Sequence, residues 1–404
     1  MSDRQVTPKK GYSRTVVRVA AFDSGGAAFK SWIDPALKDI GELIERTIGE
    51  VSPSSESPVL GELGASSEPV SYDPRLINYL AGGARFQELA HAMLDNTWHE
   101  ADRLPGLKEA TGSICYRLEQ NVIACNDTIS TSVAGALETD LALNGGFGER
   151  VIQVQAPESM LPTALIGARS WRNCPKTMAT SDVGALVGHQ RLVFHPRVTE
   201  RLLRLLVPTL VANQNATYNV GAQVASRSFT LIDDPKLDGL KTSRAFDDRG
   251  TPTARLTLLV DGRVSSRFRQ PGNGKGCGHR WYTDGDSQRQ GLSSLLVNRG
   301  EESFHRLFNK APQRLIINRL GRLEVDLATG HFTAPVEWGI DVRDGRQNRL
   351  LPPNQLAITG TLLGSKQAFL GRAKLSHELN DTGTGVLPYV FTEGRVIVNP
   401  CAAL

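Results

Sequence analysis

The chain has 404 residues, 40% of them hydrophobic and 22% charged, an ordinary globular composition whose length predicts two domains. No apolar run approaches the ~18 residues a membrane helix needs, so no membrane span is expected. The net charge of +4 is small and basic residues alternate with acidic ones, which gives no case for nucleic-acid binding.

The opening, MSDRQVTPKKGYSR, is basic but has no apolar core after it, so it does not read as a secretory signal and a cytoplasmic protein is expected. Five cysteines (Cys115, Cys125, Cys174, Cys277, Cys401) form no CxxC pair. Cys115 and Cys125 flank a predicted turn at Glu119 to Asn121, which would let them face each other across a hairpin. In a reducing compartment they read as small core residues.

Residues 14–22 (RTVVRVAAF) are rich in β-branched residues and end at the turn signal DSGG, after which AAFKSWI returns as a second strand. Asp34 is then expected to cap a helix with Pro35 at its first position and Leu37, Ile40, Leu43, Ile44 and Ile48 at helical spacing. Residues 51–69 are rich in Ser, Pro and Glu and read as a surface linker. A second helical region runs from Asp73-Pro74 to about Arg103, followed by three predicted strands, ICYRL, VIACN and ISTSVAGALETDLAL. QRLVFHP reads as a buried strand leading into the helix TERLLRLLVPTLVAN, which Pro208 should kink or distort.

From about residue 220, short strands recur around Asp261-Gly262, Gly321, Asp344-Gly345 and Glu393-Gly394, pairs suited to tight hairpins. The expectation is therefore an α+β protein. A mixed α/β domain over residues 1–215 precedes a mostly antiparallel, barrel-like β domain over 216–404.

Several local patterns suggest chemistry and then fall short of it. His99-Glu100 and His377-Glu378 are the HE pairs, but Leu104 and Thr382 prevent HExxxH, and Arg103 and Asp381 prevent HExxH. His91 and His99 lie eight residues apart, ~12 Å along a helix, too far to share one ion. GNGKGCGH (272–279), with Lys275, follows a hairpin arm where a phosphate loop needs a strand–loop–helix setting, and Cys277 with His279 lacks two further ligands. His195 ends a strand, yet no GxSxG elbow accompanies it.

An ordered series of motifs is more specific. Residues 232–264 (IDDPKLDGLKTSRAFDDRGTPTARLTLLVDGRV), PGNG (271–274), LSSLLVNRGEESF (292–304), TGHFT (329–333) with WGIDVRDGR after it, and ITGTLL (358–363) resemble, in order, stretches of the TldD/PmbA family. The resemblance covers roughly residues 180–400. Beside the family's longer opening α/β segment, the N-terminal part reads as shortened.

In the family's catalytic TldD branch a strand leads into a helix carrying HExxxH, whose histidines bind zinc while the glutamate polarises the attacking water. By pattern those three positions fall here at Arg204, Leu205 and Thr209, which offer no metal ligand set. The branch's late Gly-Cys-Gly loop has its counterpart in LGRAKLSHELNDTGTGVLP, which contains no cysteine.

The resemblance therefore implies the TldE/PmbA-like branch: a non-catalytic subunit with no metal of its own. It would form a heterodimer with a TldD-like, HExxxH-bearing subunit that carries the zinc, and would close a chamber in which an unfolded or small peptide, or a peptide-linked biosynthetic intermediate, is cut. Asn273, Gly274, Thr329, Gly330, His331 and Phe332 are the expected chamber lining. The alternative that the resemblance leaves open is a binding or adaptor protein of the gyrase-modulator type without peptidase involvement.

Overall fold

A computed structural model describes residues 16–22, 26–33, 35–50, 52–53, 107–125, 128–145, 151–157, 183–212, 215–237, 240, 242–247, 251–268, 280–282, 288–343, 346–364 and 366–401. In the N-terminal part, β1 (Val16–Phe22) and β2 (Gly26–Ile33) form the expected antiparallel hairpin, and β3 (Ser52–Pro53) adds to β2. The helix that follows starts later than expected. A 3-10 turn at Leu37–Asp39 precedes α1 (Ile40–Gly49), and Asp39 occupies the cap without a side-chain hydrogen bond. Asp34, the linker beyond Pro53 and the helical region expected over 73–103 lie outside the described residues.

A second sheet holds β4 (Leu107–Cys125), β5 (Thr128–Gly145) and β6 (Val151–Pro157). ICYRL and VIACN prove to be one strand: Glu119, Gln120 and Asn121 pair in register with Ala134, Val133 and Ser132, so no turn occurs there. Cys115 registers with Glu138 and Cys125 with Thr128, so the two cysteines follow one another along a single strand and cannot face each other across a hairpin.

The C-terminal sheet is built from β7 (Gly188–Phe194), β8 (Leu231–Asp233), β9 (Leu256–Val260), β10 (Arg263–Val264), β13 (Leu295–Val297), β14 (Gln313–Leu320), β15 (Glu324–Asp326), β16 (His331–Arg343), β17 (Arg346–Leu350), β18 (Leu356–Thr361), β19 (Lys374–Asp381) and β20 (Gly385–Val398); the small hairpin β11 (Arg280–Tyr282) with β12 (Gln288–Gln290) stands apart. Five of these strands close into a barrel in the order β7, β14, β16, β18, β20 and back to β7. Pairing is mostly antiparallel as expected, with parallel contacts of β7 on β14 and β13 on β20. The closed, helix-poor β domain agrees with the α+β expectation. β7 and the helix after it, grouped above with residues 1–215, pair and pack within this C-terminal unit.

The hairpin of β9 and β10 turns at Asp261 (φ 47°) and Gly262 (φ 73°), the positive-φ pair that the Asp-Gly sequence predicted. Glu393-Gly394, read from sequence as a turn, instead lies inside β20, where both residues pair with β7. Gly394 is there for packing, because a Cβ on it would fall 2.0 Å from Cε1 of Phe369. Phe369 is almost fully buried, with its ring centroid 5.4 Å from those of Phe194 and Phe332.

α2 (Pro196–Val207) lays Val198, Leu202, Leu203 and Leu206 into this core at helical spacing. Pro208 then has no N–H to donate to Arg204, and its ring crowds that carbonyl, so the chain widens into a π-helical turn over Pro208–Ala212. The distortion expected at Pro208 is thus present. A smaller apolar cluster, with Val193, Phe308, Ile316, Ile340 and Val342, lies on the other face of β14 and β16.

Candidate functional site

α2 begins at His195, whose Nδ1 accepts a hydrogen bond from the Arg197 N–H at 3.3 Å, and Pro196 occupies the first helical position. The His195 ring meets Tyr389 edge-on, centroids 5.3 Å apart. Burial, aided by the Arg197 charge, pushes its pKa down from 6.5 to about 3. The folded protein thus refuses a proton that the unfolded chain accepts between those values. Stability is full above about pH 6.5 and declines as pH falls toward 3. A loss of about 1–2 kcal/mol between pH 7 and pH 5 is expected from this group. His195→Asn, which keeps a capping side chain, should flatten that part of the pH–stability curve in urea unfolding; an unchanged slope would remove His195 as its cause.

One turn further on, Glu200 and Arg204 form the centre of the site. The Arg204 Nε donates to Glu200 Oε1 at 2.8 Å, Nη1 donates to the carbonyl of Leu292 at 3.0 Å, and Nη2 donates to those of Ser293 at 2.8 Å and Thr384 at 2.5 Å. Glu200, only 6% exposed, also accepts from the Thr384 hydroxyl. One guanidinium therefore ties α2 to two loops remote in sequence. The first loop is fixed from behind by the buried Asp233, whose carboxylate accepts from the Ser293 N–H at 3.0 Å and from its hydroxyl at 2.7 Å.

Arg204, Leu205 and Thr209 are the three positions matched by pattern to HExxxH. The first holds a cation already paired with Glu200, the second is a 41% exposed apolar side chain, and the third is a half-buried hydroxyl. Such a set does not fit zinc: guanidinium nitrogens donate only, and leucine has no donor atom for a metal. Among the described residues, no three His, Cys, Asp or Glu side chains lie where they could hold a metal.

Of the expected chamber-lining residues, Thr329 and Gly330 form the turn between β15 and β16. There the Asp326 carboxylate accepts from Thr329 Oγ1 at 2.7 Å and from the Ala328 N–H at 2.9 Å, bonds that hold its pKa below the usual value. Gly330 (φ +69°) presses on the π-helical turn, since a Cβ would lie 2.6 Å from Leu210 Cδ1. The turn therefore abuts the residue after Thr209. His331 is exposed at the start of β16, whereas Phe332 is fully buried and its ring belongs to the barrel core. Asn273, Gly274 and the rest of 272–279 lie outside the described residues, as do His91 and His99.

Of the HE pairs, His377-Glu378 sits in β19, where Glu378 Oε2 accepts from the Phe304 N–H at 2.8 Å at the start of α3 (Phe304–Asn309). That is a helix-capping role. Residues that the sequence did not single out complete the surface beside α2: Arg197, Arg201, Arg322 and Leu323 join Glu200, Arg204, Leu205 and Thr384 around a cleft of about 610 Å³.

The closed barrel with its buried entry helix is the fold of a known group of proteins. Residues 187–397 match the PmbA/TldA metallopeptidase C-terminal domain, and the chain belongs to that family. It is 26% identical over 124 residues to the metalloprotease TldD homolog of Haemophilus influenzae, a match spanning 29% of this chain and about a quarter (25%) of that relative. Its fold is similar to that of TldE from Thermococcus kodakarensis, with TM-score 0.73, 15% identity, and coverage of 95% of this chain and 90% of that one. A proposed modulator of a DNA gyrase from Thermotoga maritima gives TM-score 0.71 at 14% identity, over 95% of this chain and 89% of the other.

Proposed function

We propose that this chain is the TldE-like, non-catalytic subunit of a two-subunit zinc metallopeptidase. A TldD-like partner bearing HExxxH would supply the zinc, and this chain's β domain would close a chamber around an unfolded or small peptide. The observation that carries the reading is the Arg204 clamp: on the helix matched to the zinc motif, a guanidinium held by Glu200 and three carbonyls takes the leading position. Family membership and the likeness to a TldE fold support it. In such a chamber the peptide would lie extended, held by main-chain hydrogen bonds to a strand edge. The setting would be cytoplasmic, and general proteolysis and trimming of a biosynthetic intermediate are both compatible with that geometry.

Co-expression with the HExxxH-bearing relative from the same organism tests this. Cleavage of an unfolded peptide is expected from the co-purified pair and not from the isolated chain. Zinc-dependent cleavage by the isolated chain at the full rate would contradict it. The likeness to a proposed gyrase modulator favours a second reading, an adaptor that binds a target protein and needs no metal-bearing partner. Failure of the pair to co-purify, with retention of gyrase on the isolated chain, would favour that one.

A further inference from the structure

The cleft beside α2 carries a charge that the clamp does not use. Among the described residues that line it, the guanidinium groups of Arg201, Arg204 and Arg322 stand beside one carboxylate, Glu200. That carboxylate is held by Arg204 and by the Thr384 hydroxyl, so it faces the clamp. Arg201 and Arg322 are both exposed, and Arg201 donates one N–H to the neutral carbonyl of Leu320. That bond leaves its charge uncancelled and draws the helix face toward the β14–β15 connection that carries Arg322. The remaining wall is apolar, with Leu205 41% exposed and Leu323 half-buried against the core.

We propose that this cleft binds an acidic peptide, taking a carboxylate between Arg201 and Arg322 and a neighbouring apolar side chain against Leu205 and Leu323. Guanidinium forks match a carboxylate in two parallel hydrogen bonds, and pairing an ion with an apolar wall selects a peptide over a bare anion. The volume of about 610 Å³ lies within the range of ligand clefts, ~300–1,000 Å³. The inference rests on the reading that the chain handles peptides and adds the chemistry of the peptide it prefers.

The test is fluorescence anisotropy on the full chain with a labelled hexapeptide of alternating leucine and glutamate, beside its leucine–lysine counterpart. The acidic peptide should bind and the basic one should not, and added salt should weaken binding because the charges are near the surface. Arg322→Gln, at an exposed position, should weaken binding several-fold, and Arg201→Gln/Arg322→Gln at least tenfold with an unchanged circular dichroism spectrum. Equal binding of the two peptides, or unchanged binding by both variants, would overturn the proposal. So would full displacement by millimolar inorganic phosphate, which would assign the cleft to a small anion. If the acidic peptide fails to bind while the zinc-bearing subunit still co-purifies, this inference falls and the subunit reading stands.

Discussion

Arg204→Met is expected to lower the free energy of unfolding by about 3–5 kcal/mol, the range for breaking a buried ion pair from one side. Methionine fills much of the same space but leaves the Glu200 carboxylate, 8% exposed at its side chain, without its cation. It also leaves the carbonyls of Leu292 and Ser293 without their guanidinium donor, while that of Thr384 keeps the Leu295 N–H. An uncompensated buried charge and orphaned acceptors act together, so the loss should exceed that of an ordinary surface arginine, within about 0.5 kcal/mol. Arg204→Met/Glu200→Gln removes the stranded charge and should recover about 1 kcal/mol or more in urea unfolding. A single variant within 0.5 kcal/mol of the parent would show that the clamp does not hold the site together.

Phe369→Ala is the second large effect, with about 3–5 kcal/mol expected from the lost ring and the cavity it leaves. Its ring sits among barrel residues: Phe194 and Phe332 at 5.4 Å, Gly394 in β20, and Gly360, where a Cβ would come within 3.1 Å of Cε2. The reciprocal change, Gly394→Ala, drives a Cβ into the same ring and should itself be destabilising. In the Phe369→Ala background, however, that Cβ enters the vacated space, so the double variant should be more stable than the sum of the singles predicts. Simple additivity of the two losses in a double-mutant cycle would place the ring elsewhere than against Gly394.

These two sites also show where the sequence could be read and where it could not. Asp261-Gly262 was legible because its positive φ angles are a local demand, met within two residues. Glu393-Gly394 looks the same on paper, but its glycine answers a ring brought in from residue 369, and no local signal carries that. Glu119 to Asn121 similarly reads as a polar turn, yet cross-strand pairing with Ala134, Val133 and Ser132 holds it extended. The distortion at Pro208 was readable from a missing N–H. The position of β7 between β14 and β20 was not, since both pairings join residues more than a hundred apart in the chain.

For the site, the side chains of Arg204, Leu205 and Thr209, none of which suits zinc, could be read from the sequence. Their partners could not: those of Arg204 come from residues 292, 293 and 384, and the cleft gains Arg322 from the connection between β14 and β15. Arg197, Arg201 and Arg204 show helical spacing in the sequence. Their meaning as one wall of a basic cleft depends on folding.

The most direct measurement of the central claim is metal analysis combined with native mass spectrometry, on the isolated chain and on the pair purified through a tag on this chain. The subunit account predicts a zinc-free isolated chain and a one-to-one complex carrying one zinc, lost when the partner's motif histidines are replaced. A stoichiometric zinc bound tightly by the isolated chain would contradict it.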